Sequence, residues 1–144
     1  VNTRPQAWHL GFTLGPRLNA GGRISACDLG ATILSTDDNL EASTLAQRLQ
    51  QLNAERQEIE HGVLQQALAA AEAQLKTNPI ALVLAGEGWH PGVVGIVAGR
   101  VKDQFHRPTF VLGIGNDGIA KGSGRSVSGV DLGLCIQHLR PMLK

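Results

Sequence analysis

Cysteine is nearly absent from these 144 residues: Cys27 and Cys135 stand far apart, with no CxxC spacing. Neither a zinc site nor a disulfide framework is indicated, and reduced thiols in the cytoplasm are expected. No apolar run approaches the ~18 residues of a membrane span, so no membrane partner is expected. Tyrosine is missing and aromatics make up only 3% of the chain, which leaves few rings for stacking on a ligand. There is no carboxylate cluster, no HxxE/H pair, no Asp-His-His run and no GxSxG elbow. An obvious catalytic centre is therefore absent. No basic-then-apolar leader opens the chain, and Val1 in place of Met suggests that the true start is missing.

Acids are unevenly withheld. Residues 1–27 carry Arg4, Arg17 and Arg23 and no acid, whereas residues 28–75 hold eight acids against Arg48 and Arg56, a net of −6. Residues 99–144 hold seven bases against Asp103, Asp117 and Asp131, a net of +4. Basic ends around an acidic middle suit an anion-binding surface joined by a solvated connector.

What is present divides the chain in two textures. Ser25–Ser35 reads as a short helix capped by Ser25, with Leu29, Ile33 and Leu34 facing inward. Asp38 and Glu41 have the spacing of a reciprocal capping box. From there Leu45, Leu49, Leu52, Ile59 and Val63 predict an amphipathic helix from about Asn39 to Lys76, ended by Asn78-Pro79. At about 1.5 Å per residue it would be roughly 55 Å long, which suits a connector between lobes, with a bend allowed at Gly62. Beyond Pro79 the pattern becomes α/β. Ile80–Gly86 predicts a strand buried on both faces, Pro91 opens a helix through Phe105, and Arg107–Ile114 predicts a second strand. Gly115–Gly118 is turn chemistry, Ile119–Val127 a glycine-broken third strand, and Asp131 starts a last helix. The fold class expected is α/β: a long connector helix followed by a domain with a mixed sheet.

Three stretches suggest phosphate binding. "GPRLNAGGR" (Gly15–Arg23) combines two arginines with glycines, a composition unsuited to a good helix; arginine grips planar anions with two prongs. "GEGWHPGVVGIVAGR" directs the free N–H groups of a helix start toward His90, sets Gly92, Gly95 and Gly99 on one face and ends at Arg100. "KGSGRS" (Lys121–Ser126) puts Ser123 and Arg125 on one face of a strand, beside Ser126, a suitable grip for a phosphodiester oxygen. "GIGNDG" matches GxGxxG in letters only, because a strand and not a helix follows it.

These stretches, with "LNAERQEIE" between them, in this order and spacing, resemble the RecJ-type single-stranded-DNA-specific exonucleases of bacteria over nearly the whole chain. The resemblance implies residues 1–36 as the end of a DHH phosphoesterase domain, 37–78 as the connector helix, and 79–144 as a truncated DHHA1-like domain that holds the strand. It implies a parent enzyme that hydrolyses single-stranded DNA 5′-to-3′ in repair and recombination, with Mn or Mg bound by DHH motifs missing here. A catalytically inactive fragment is thus expected. Gly21-Gly22 departs slightly from the alanines common at that place, and the chain stops before the family's Gly-Gly-His motif. Carried over by position, Arg23, Arg100, Ser123 and Arg125 are expected near phosphates, converging on one track in the case of the last three. Arg17 and Asn19 are expected to shape the cleft, with His90 and Ser126 beside it, whereas Lys144 is expected to matter little. The implied partner is single-stranded DNA, and exposed leucines of the connector helix suggest, separately, a dimer of the fragment. A phosphoesterase of short oligonucleotides and a protein-interaction module remain the alternatives, and the few aromatics do not separate DNA from RNA.

Overall fold

The computed structural model describes Arg4 and residues 6–142 and divides the chain into two compact units, Val1–Ile59 and Glu60–Lys144. Lys144 lies outside the described residues. The first unit contains α1 (Ala7–His9), a π-helix (Leu10–Leu14), α2 (Gly15–Ile24), α3 (Leu29–Ser35) and the beginning of α4 (Asn39–Leu75). The second contains the rest of α4, β1 (Leu82–Glu87), α5 (Pro91–Phe105), β2 (Thr109–Ile114), β3 (Ala120–Arg125), α6 (Leu132–Leu139) and a 3-10 turn, Arg140–Met142.

α4 is a single helix of 37 residues, as its periodicity predicts. Asp38 caps it, its Oδ1 accepting from the N–H of Leu40 at 2.8 Å and of Glu41 at 3.3 Å. The capping box does not close: Glu41 accepts from the Thr36 hydroxyl, and the same hydroxyl accepts from the N–H of Asp38 at 3.2 Å. Leu49, Leu52 and Val63 are buried as expected, but Ile59 is exposed, and Arg56 and Glu60 take the buried positions of the stripe. α3 starts at Leu29 behind Asp28 instead of Ser25, and Leu34 points to solvent.

"GPRLNAGGR", unsuited to a helix by composition, is the helix α2. Its proline stands in the first turn, where a fixed φ suits a helix start and no N–H is needed. A Cβ on Gly21 would lie 2.8 Å from the Ala26 carbonyl oxygen and 3.5 Å from the Leu29 side chain, so glycine lets the chain turn tightly onto α3. Close packing thereby offsets a helical penalty of about 1 kcal/mol.

In the second unit β1 pairs parallel with β2, and β2 antiparallel with β3, in the order β1-β2-β3. Leu82, Leu84 and Val111 form a core with Val93, Val97 and Val101 of α5 and Val63, Ala67 and Ala71 of α4. Both helices cover the same sheet face. That corrects the expectation for β1: Leu82 and Leu84 are buried, but Val83 on the opposite face is 51% exposed. The free edge of β1 is blocked by a side chain, since Gln74 Nε2 donates to the Val83 carbonyl at 2.6 Å and Gln74 Oε1 accepts the Val83 N–H at 3.2 Å. A side-chain amide here takes the place of a neighbouring strand.

α5 ends at His106, whose φ of 52° and ψ of 41° are left-handed. Glycine is the residue that ends helices this way without steric cost. His106→Gly is expected to stabilise the fold by about 0.5–1 kcal/mol, read as a higher urea midpoint at constant slope. A lower midpoint would show that the imidazole makes a compensating contact.

Candidate nucleic-acid interface

β3 is antiparallel to β2 with Ser123 opposite Val111 and Arg125 opposite Thr109. Period-two alternation puts Ser123 and Arg125 on the α5 side, and they meet there: Arg125 Nη1 donates to Ser123 Oγ at 2.7 Å and to the Gly124 carbonyl at 2.8 Å. Gly95 of α5 makes the space. A Cβ at that position would lie 3.1 Å from Arg125 Nη2 and 3.3 Å from Ser123 Oγ. Among the described residues this guanidinium donates to Ser123 and Gly124 through Nη1, and Nε and Nη2 carry three further N–H groups in the same plane. Arg125 is exposed, and with Ser126 and Asp131 it borders a hollow of ≈ 690 Å³. Ser126 faces its own loop, donating to the Val130 carbonyl at 2.7 Å.

Arg100 goes elsewhere. Its Nη2 lies 2.6 Å from Oε1 of Glu60, on α4. Five residues at about 100° each place it roughly 140° around α5 from the Gly95 face. The convergence expected of Arg100 with Ser123 and Arg125 is thus not formed: the helix phase turns Arg100 toward α4 and leaves a two-residue grip on β3. His90 caps α5, its Nδ1 accepting from the Gly92 N–H at 3.0 Å, which leaves its ring proton on Nε2. It flanks a hollow of ≈ 530 Å³ at the carboxyl ends of β1 and β2, opposite Lys121.

Arg17, Asn19 and Arg23 belong to the first unit. Arg17 is turned inward as a clasp, donating from Nε to Gln50 Oε1 at 2.5 Å and from Nη1 to the Thr13 carbonyl at the π-helix. Asn19 and Arg23, four residues apart on α2, share its exposed side. Glu60 was not among the residues predicted from sequence. Its spacing from Arg56 and Val63 places it on the buried stripe of α4, and a carboxylate on such a stripe calls for a cation.

Residues 76–143 match the DHHA1 domain. The chain is 45% identical over 134 residues to the single-stranded-DNA-specific exonuclease RecJ of Dickeya dadantii, a match covering 90% of this chain and 23% of that protein. It is 43% identical over 133 residues to the exonuclease of the same name from Escherichia coli, with coverages of 90% and 23%. The crystal structure of RecJ in complex with Mg2+ from Thermus thermophilus superposes with a TM-score of 0.80 at 34% identity, covering 97% of this chain and 21% of that one. A crystal structure of exonuclease RecJ bound to manganese gives a TM-score of 0.77 at 34% identity, over 94% of this chain and 32% of that one. The chain therefore spans about a quarter of the length of the curated relatives it matches.

Proposed function

Because the chain belongs to the RecJ-type exonucleases through the DHHA1 domain at residues 76–143, we propose that it is the strand-holding part of a cytoplasmic enzyme that degrades single-stranded DNA 5′-to-3′ in repair and recombination. The observation that carries this reading is the Ser123–Arg125 grip against Gly95. A hydroxyl and an exposed guanidinium on one strand face, with backbone held back, suit the non-bridging oxygens of a phosphodiester. Residues 1–36 then form the end of the phosphoesterase domain, 37–78 the connector and 79–144 the binding domain. Asn19 and Arg23 on the exposed side of α2 supply a second set of polar contacts, while Arg17 holds α2 in place.

The related crystal structures contain Mg2+ or Mn2+. Among the described residues no three His, Cys, Asp or Glu side chains lie together. The chain's contribution is to bind and orient the strand, which confines the reacting phosphate. No helix of the described residues is long and apolar enough to cross a membrane.

The test is a titration of the purified chain with a fluorescent oligothymidylate at several salt concentrations. Affinity should fall with salt with a log–log slope of about −0.7 per phosphate contact, and excess pyrophosphate should not compete. The same preparation should leave the oligonucleotide intact in the presence of Mn2+. Binding that ignores salt, or displacement by pyrophosphate, would remove the strand-holding reading. Metal-dependent cleavage would show that the catalytic centre lies within these residues.

A further inference from the structure

We propose that the hollow between the β1–α5 loop and the β2–β3 turn is a nucleobase pocket. This rests on the strand-holding reading above for the source of the base, and extends it from phosphate to base. The hollow, ≈ 530 Å³, opens at the carboxyl ends of the parallel strands β1 and β2, where α/β sheets take their ligands. Pro91, Ile114 and Ile119 give it apolar walls. Its polar groups are mixed in kind and sign: Lys121, the Nε2–H of His90, the Asn116 amide and the Asp117 carboxylate. Asp117 Oδ1 accepts from the Ile119 N–H at 3.0 Å, which holds the carboxylate within its own turn. Lys121 precedes Ser123 by two residues on the same face of β3, so the hollow begins about 7 Å along the strand from the Ser123–Arg125 grip.

An oxyanion is poorly served here. The start of α5 has spent its donors: Pro91 has no N–H, and that of Gly92 goes to His90 Nδ1 at 3.0 Å. The N–H groups of Val93 and Val94 go to the His90 carbonyl at 3.0 and 3.4 Å. Asp117 adds a negative charge to the lining. A neutral planar ring is better matched. Its faces suit the apolar walls, and the edge of thymine, two carbonyl acceptors around one N–H, suits the mixed polar groups. Lys121 and the His90 Nε2–H donate to carbonyls, and the Asp117 or Asn116 oxygen accepts an N–H.

The test titrates the isotope-labelled chain with thymidine, which carries no phosphate, and follows its backbone amides by NMR. The amides of Gly88, Gly115 and Lys121 should shift and saturate in the millimolar range. Inorganic phosphate or deoxyribose at the same concentration should leave them in place. Ile119→Ser, at a residue 54% exposed, removes one apolar wall and should weaken thymidine binding about fivefold. It should weaken oligothymidylate to a similar extent at an unchanged salt slope, since a base contact releases no counterion. No shift of these amides with thymidine, an equal response to phosphate, or a shallower salt slope in folded Ile119→Ser would overturn the inference. The parent titration decides it even if that variant misfolds. Failure of the strand-holding reading is separately visible: thymidine would bind and oligothymidylate would not, leaving a pocket for free nucleosides.

Discussion

Gly113→Ala is expected to destabilise the second unit by about 3 kcal/mol or more, the largest effect of any single methyl group considered for this chain. Gly113 is buried near the end of β2, opposite Gly86 of β1. A Cβ there would stand 2.0 Å from the carbonyl oxygen of Trp89 and 3.5 Å from the Trp89 Cβ. The first of these is backbone, so no rotamer change relieves it; the loop between β1 and α5 must move. That loop carries the Trp89 indole, which is buried and donates from Nε1 to Gln66 Oε1 at 3.0 Å. It also carries His90, which caps α5. Urea unfolding followed by Trp89 emission, in a Trp8→Phe background, measures the loss. Gly62→Ala is the control of opposite sign: Gly62 is exposed within α4, with nothing within 4 Å of its added Cβ. It should gain about 1 kcal/mol from helix propensity. A Gly113→Ala midpoint close to the parent's would mean that the Trp89 loop shifts at little cost, contrary to the packing argument.

Arg125→Ala is expected to weaken single-strand binding about tenfold, the size of a lost charge-assisted hydrogen-bonding group. The loss should be the same for every base sequence, because a phosphate contact carries no base information. The salt slope should become shallower by about 0.7. Arg125→Lys retains the charge and loses the fork, so it should recover only part of the affinity. Folding should be little changed, since Arg125 is exposed and among the described residues bonds to neighbours on its own strand. If Arg125→Ala binds with parent affinity and slope, the β3 grip is not a phosphate contact. Loss of near-UV circular dichroism in the variant would show that the arginine serves the fold.

Much of the local structure was legible because its causes are neighbours in sequence. Asp38 and Asn78-Pro79 bound α4, Pro91 behind a capping His90 opens α5, and Asn116-Asp117-Gly118 turns β2 into β3, its Gly118 N–H closing onto the Gly115 carbonyl at 2.9 Å. The common face of Ser123 and Arg125 follows from strand alternation alone. The hydrogen bond between them is a finding of the structure.

What the sequence left undetermined depends on groups far apart along the chain. Whether Gly15–Arg23 is helical turns on a close approach of Ala26 and Leu29 that glycine content alone argues against. The exposed face of β1 is decided by α4 and α5 both settling on the other side of the sheet. Arg17 and Arg100 looked alike as cations next to glycines. One is clasped by Gln50, 33 residues away, and the other by Glu60, 40 positions earlier. Caps, turns and periodicity are set by short-range sterics and hydrogen bonds, which any local window contains. The partner of a charge is set by which helix face meets which, and only the packed chain determines that.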